Sequence, residues 1–295
     1  MHFGPRQKEC SMYFPKGFDA GLAIELGELI QQAYDQFEAF ENEEDWKLNG
    51  NYSLTTVLSY IWSPERLIEK GIHNYDLTIK KISRNKRNES AEIPIGFVAE
   101  RQGRMYLILR GTQTAKEWIR NFSISLHPYL IADHGMVHEG FMQMYDEIRG
   151  AIIETLSSTS NHMKLYVGGH SLGAALATLA LPDIESKTRC RVRALYTFGS
   201  PRVGDVTFVR AFNESYHDRS FRIANTSDLV TSIPLPVPLA SIVGGYFSHV
   251  DIPVDMTVQK DDMEANHSME TYISTLTENR QRKGFFGRLL TRNVP

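Results

Sequence analysis

Serine is a weak nucleophile at its own pKa. It becomes reactive only beside a base that an acid holds in place. A serine set for such work stands in Gly169-His170-Ser171-Leu172-Gly173, a G-x-S-x-G pentapeptide. Short motifs recur by chance, so the flanking chain decides what this one means. The strand-like segment LYV, Leu165 to Val167, runs straight in, and the small-residue segment AALATLAL runs straight out. Strand, sharp turn and helix together make an elbow that holds a serine on a strained corner. The two glycines leave room for neighbouring chain, and the helix start turns amide N–H groups toward negative charge. The bland alternative is a Gly-rich turn that caps a helix with Ser171.

A serine on this kind of elbow finds its acid and then its base later in the chain. Asp228 is the best acid, because it follows the strand-like FRIAN and so belongs at a strand's C-terminal end. The rival is Asp205 in PRVGD, also in a loop after a strand. Asp251, Asp255, Asp261 and Asp262 stand in an acidic, turn-like neighbourhood. Three histidines follow Ser171. His217 sits in the polar stretch NESYHDR and reads as solvated, whereas His249 and His267 both remain candidates for the base. His170, inside the elbow, reads as packing behind the nucleophile. Attack on a carbonyl creates an oxyanion, which calls for two donors. One is the N–H of Leu172, the residue after the serine. The other belongs to a loop after an earlier strand, where RMYLILRGT places Gly111 and Thr112.

These groups need elements to hold them. Residues 20 to 40 carry Leu22, Leu26, Leu29, Ile30, Ala33, Tyr34 and Phe37 at helical spacing. IPIGFVAER and RMYLILR read as antiparallel strands joined at Gln102-Gly103. Helical period returns at Phe141, Tyr145, Ile148, Ile152, Ile153 and Leu156. The helix after the elbow is expected to stop before Pro182. RALYTF and FRIAN are further strands, the first followed by the loop GSPRVGD. Strands that alternate with helices imply an α/β fold, a mainly parallel sheet covered on both faces, with the chemistry at strand C-terminal ends. Trp118, Ile119 and Phe122 form an apolar cluster at helical spacing directly after the Thr112 loop. Such a short amphipathic helix could cover a cleft and roll away at a lipid surface, or be a fixed surface helix. LPVPLASIVGGYF, residues 235 to 247, reads as a loop lining an acyl groove or as core.

The chain has 295 residues and a formal charge of −3, with ordinary apolar and charged fractions. That length buries a full core without disulfides, and Cys10 and Cys190 make no disulfide framework. Nucleic acid is excluded as a partner on charge. The start lacks the apolar core of a secretory signal and no stretch is long enough to span a bilayer, so the chain as given reads as soluble and cytoplasmic. Residues 1–279 read as one domain and 280–295 as a basic tail. RQRKGFFGRLLTRNVP holds Arg280, Arg282, Lys283, Arg288 and Arg292, interleaved with Phe285, Phe286, Leu289 and Leu290. Such a tail could meet an anionic lipid surface or simply be solvated. Oligomeric state is left open.

GHSLGAALA resembles the nucleophile elbow of the class 3 lipases, the family of the filamentous-fungal triacylglycerol lipases. LRGTQTAKEWIRNF resembles that family's oxyanion and lid segment, and VHEGFMQMY and FGSPRVGD resemble the blocks around its elbow. NTSDLVTSIP resembles its acid segment, with the N-x-x-D-x-V pattern, and HSMETY its histidine segment. In fixed order these cover about residue 95 to about residue 275. The resemblance implies an α/β-hydrolase fold and a triad of Ser171, Asp228 and His267, with His249 structural. It implies Thr112 as the second oxyanion N–H, its hydroxyl a further candidate, and a lid at Trp118, Ile119 and Phe122. It implies hydrolysis of lipid esters, with no metal or organic cofactor, triacylglycerols first and phospholipase A1, galactolipase or feruloyl-type activity as alternatives. A catalytically silent hydrolase-fold binding protein is the reading from another class.

Overall fold

The computed structural model describes residues 12–62, 90–112, 125–159, 163–234 and 246–292, with backbone alone for 62 and 284–292. The expected lid, Trp118, Ile119 and Phe122, and most of the expected acyl groove, residues 235–245, lie outside these residues.

In chain order the described elements are α1 (Ala20–Glu41), β1 (Ser53–Trp62), β2 (Ala91–Arg101), β3 (Arg104–Leu109), β4 (Leu126–Pro128), β5 (Met136–His138) and α2 (Glu139–Ser157). They continue with β6 (Lys164–His170), α3 (Leu172–Lys187), β7 (Val192–Phe198), α4 (Val206–Tyr216), β8 (Ser220–Asn225), β9 (Ile252–Met256), α5 (Met263–His267) and α6 (Met269–Arg292). Seven strands form one sheet in the order β1-β2-β3-β6-β7-β8-β9. The pairs β1–β2 and β2–β3 are antiparallel, and every pair from β3 to β9 is parallel. The β2–β3 hairpin turns at Gln102 and Gly103, with φ of 51° and 71°. Two positive φ values match the right-handed twist of the flanking strands, which is why a glycine stands there.

Side-chain alternation along the strands splits the core into two layers. Met105, Leu107 and Leu109 of β3 pack with Leu165 and Val167 of β6 under α2, α3 and α4. Tyr106 and Ile108 point the other way, onto α1 and α6 with Phe198 and Ile223. A sheet covered on both faces needs apolar residues at successive positions, and β3 is buried from Met105 through Leu109.

Three elements differ from expectation. α3 does not stop before Pro182 but runs through it to Lys187. Proline removes one helical hydrogen bond, yet Leu181, Asp183 and Ile184 beyond or beside it are buried, and Asp183 is tied to α2. Tertiary contact outweighs the local break. β9 arises from IPVDM, where acidic neighbours suggested a turn. Residues 280–292, expected as a separate tail, continue the helix α6. No described helix is long and apolar enough to cross a membrane.

Candidate active site

The elbow is built by β6 and α3. Ser171 has φ 57° and ψ −125°, a left-handed conformation for a residue with a Cβ. Holding it there costs on the order of 1–3 kcal/mol, which the surrounding packing must offset. A Cβ on Gly169 would lie 2.3 Å from the Gly173 carbonyl oxygen, and one on Gly173 2.3 Å from that of Leu109. The corner closes only if both flanking positions lack side chains. Leu172 is the first residue of α3, so no earlier carbonyl of the helix accepts its N–H.

Asp228 follows β8 and His267 ends α5, and the fold brings them together. His267 Nδ1 lies 2.6 Å from Asp228 Oδ2. The carboxylate can only accept, so Nδ1 carries the proton and Nε2 keeps its lone pair. Tyr272 of α6 donates its hydroxyl to the same Oδ2 at 2.7 Å, and Val230 N–H donates to Oδ1 at 2.9 Å. Burial, and then the neighbouring carboxylate, push the Tyr272 phenol well above its ordinary pKa, so it stays a donor. Asp228 and His267 are both buried, at 1% and 4% exposure, where an oriented pair acts strongly.

His170 packs behind the site, as its place in the elbow suggested. Its ring centre lies 4.4 Å from that of His267, and its Nε2–H donates to the His267 carbonyl at 2.8 Å. Nδ1 accepts from the Tyr34 hydroxyl at 2.7 Å. Burial, reinforced by His267 alongside, drives the His170 pKa well below normal and keeps the ring neutral. A neutral ring donates at one nitrogen and accepts at the other, as this geometry requires.

Ser171 Oγ, His267 Nε2 and Thr112 Oγ1 are buried with no hydrogen-bond partner among the described residues. Buried polar atoms are nearly always paired. Unpaired atoms of this kind remain able to bond to a substrate. Thr112 and His267 line one cavity of about 330 Å³ together with Tyr34, His170, Glu264 and Met269. No hydrogen bond joins Ser171 Oγ to His267 Nε2.

The rivals stand elsewhere. Asp205 caps α4 by accepting the Phe208 N–H at 2.8 Å. His249 Nε2 is engaged with the Thr231 carbonyl at 2.8 Å, and His217 is exposed. Among the described residues no group of His, Cys, Asp and Glu could hold a metal ion. Sequence reasoning missed Tyr34, Tyr272 and Arg110. Tyr34 appeared only as an apolar helix position, Tyr272 only inside the HSMETY segment, and Arg110 only inside the RMYLILRGT segment. Tyr34 and Tyr272 make hydroxyl contacts to groups far along the chain, and Arg110 turns its buried guanidinium back onto the next residue's carbonyl, neither of which local spacing encodes.

The family model described as Lipase (class 3) matches residues 106–237. That span holds Thr112, Ser171 and Asp228, while His267 lies beyond it. The chain is 27% identical to the chloroplastic phospholipase A1-Ialpha2 of Arabidopsis thaliana over 309 residues, covering 86% of this chain and 63% of that protein. It is 32% identical to the secreted mono- and diacylglycerol lipase A of Penicillium cyclopium over 133 residues, 44% of this chain and 42% of that one. In each case less than two thirds of the relative is spanned. The structure of the Rhizomucor miehei triacylglyceride lipase superposes with a TM-score of 0.56 over 83% of each chain, at 19% identity, which speaks for the fold. Residues 106–237 thus match the class 3 lipase family, and the mainly parallel, helix-flanked sheet around them is an α/β-hydrolase fold of the lipase type.

Proposed function

We propose that the protein is a serine carboxylic-ester hydrolase acting on lipid esters. The observation that carries this reading is the buried Asp228–His267 pair at 2.6 Å, whose free Nε2 belongs to the same site as a serine held at φ 57°. Ser171 Oγ attacks the ester carbonyl as His267 Nε2 takes its proton. Asp228 holds the tautomer and stabilises the imidazolium that forms. The N–H groups of Leu172 and Thr112 hold the oxyanion. The imidazolium then gives its proton to the departing alcohol. Water, activated by the same histidine, releases the acid from the acyl-enzyme and restores Ser171.

Triacylglycerols are the first substrate reading, and phospholipid cleavage at the sn-1 ester is the second. The second is favoured by the long alignment to a phospholipase A1, which covers 86% of this chain. The helical segment with Arg280, Arg282 and Lys283 supports a contact with an anionic lipid surface, through basic residues on an otherwise slightly acidic chain. The test is hydrolysis of nitrophenyl esters from short to long acyl chains, of a triglyceride emulsion and of phosphatidylcholine vesicles, with Ser171→Ala beside the native chain. Hydrolysis lost by at least ~10⁴-fold in a folded Ser171→Ala is the expected outcome. Equal turnover by the two proteins would refute the nucleophile, and the emulsion-to-vesicle ratio selects between the substrates.

A further inference from the structure

Arg110 is a long cationic side chain at the C-terminal end of β3, and it is only 1% exposed. Its Nε donates to the Pro94 carbonyl at 2.9 Å, and its Nη1 to the Gly111 carbonyl at 2.7 Å. Its guanidinium carbon sits 3.7 Å above the centre of the Phe37 ring. On the other side of the same residue, the Gly111 N–H donates to the Tyr34 hydroxyl at 2.9 Å. Gly111 is thus gripped at both its N–H and its C=O. It also lies directly against the nucleophile, for a Cβ on it would come within 2.5 Å of Ser171 Cβ.

The Gly111 carbonyl shares a peptide plane with the Thr112 N–H. In a trans peptide the two point in opposite directions, and the only cis bond among the described residues is Ile233–Pro234. Fixing the carbonyl on Arg110 therefore fixes the direction of the Thr112 N–H on the far edge. A hydrogen bond from a charged donor is also short and strong, and it draws electron density from the amide. Polarised in this way, the amide nitrogen's proton becomes a better donor. An oxyanion donor accelerates reaction to the extent that it is aligned before charge develops.

We infer that Arg110 is a positioning residue for ester cleavage, aligning and polarising the Gly111–Thr112 peptide as an oxyanion donor, with Tyr34 holding the other side of Gly111. The inference rests on the serine-hydrolase reading above. It predicts a defect confined to the transition state. Substrate binding does not use the oxyanion, and the base is not touched by Arg110.

The experiment compares the native chain, Arg110→Lys and Tyr34→Phe on a soluble nitrophenyl ester. Active sites are counted by titration with a nitrophenyl alkylphosphonate, and kcat is expressed per titrated site across pH. Lysine keeps the charge but loses the planar fork, so Arg110→Lys should lower kcat per site by ~10²-fold. KM should stay within about twofold, and the pH profile should keep its shape. Tyr34→Phe should lower kcat per site by about tenfold, also with KM little changed. A merely structural role would give fewer titrated sites, each with native kcat. That result in either variant that folds would overturn the inference. If Arg110→Lys does not fold, Arg110→Gln, which keeps a planar donor without the charge, decides by the same criterion. A native chain that neither labels nor turns over the ester would instead refute the hydrolase reading, so the two failures are distinct.

Discussion

His267 and His249 differ in what their ring nitrogens are free to do. His267 keeps an unpaired Nε2 and an Asp228 partner on Nδ1, whereas His249 has spent Nε2 on a backbone carbonyl. Burial, with Arg222 nearby, holds the His249 pKa down to about 3, so the ring stays neutral. His267→Ala should cost on the order of 10⁴–10⁶ in kcat. His249→Ala should keep native kcat per active site and lose only about 1–2 kcal/mol of stability, from one buried hydrogen bond. Rates on a soluble ester, normalised to titrated sites, would make His249 the base if the pattern were reversed. The sequence carried Ser171 through its motif and Asp228 through its place after a strand. It left His249 and His267 unresolved except by resemblance, because neither has a distinctive local spacing. Tyr272 was illegible for a related reason, since its hydroxyl meets a carboxylate in another segment, and Arg110 because spacing does not show that its guanidinium is buried and turned back onto the next carbonyl.

Elements were legible wherever periodicity was strong. α1 and α2 follow their apolar spacing, and the two positive φ values at Gln102 and Gly103 answer to the hairpin signal. Local rules failed where distant contacts override them, as at Pro182. Asp183, one residue later, accepts from Arg149 Nε at 2.6 Å, Arg149 Nη2 at 2.9 Å and the Tyr145 hydroxyl at 2.9 Å. These bonds tie α3 to α2 and carry the helix past its proline. Asp183→Ala would leave a buried tyrosine hydroxyl and an arginine without their acceptor. It should destabilise the fold by about 3 kcal/mol, with kcat per active site unchanged. Denaturant unfolding checks the first part, and an undiminished midpoint would show that α2 and α3 are held by apolar packing alone.

For the whole molecule, length, charge and alternation of strands with helices were enough to set the class of fold. They said nothing of buried charge. Asp251, at the entry to β9, has φ 75° and a carboxylate shut away from solvent. Burial raises its pKa from 3.8 to about 7, with Arg222 and then the neighbouring Ser220 hydroxyl offsetting part of the rise. The folded state therefore holds a proton that the unfolded chain releases near pH 4. Stability should fall as pH climbs from about 4 to about 7, with the full cost present above that. Asp251→Asn, which tolerates the positive φ, should be more stable than the native chain at pH 8. The gain is on the order of 2–4 kcal/mol and should vanish toward pH 4. Parallel melting curves over that range would contradict it. The central claim, an activated nucleophile at Ser171, is tested most directly by covalent labelling. A nitrophenyl alkylphosphonate should add one phosphonyl group per native chain, located by peptide mass spectrometry on Ser171. It should do so at least ~10³-fold more slowly in His267→Ala. Label on another residue, or equal rates in the two proteins, would contradict the account.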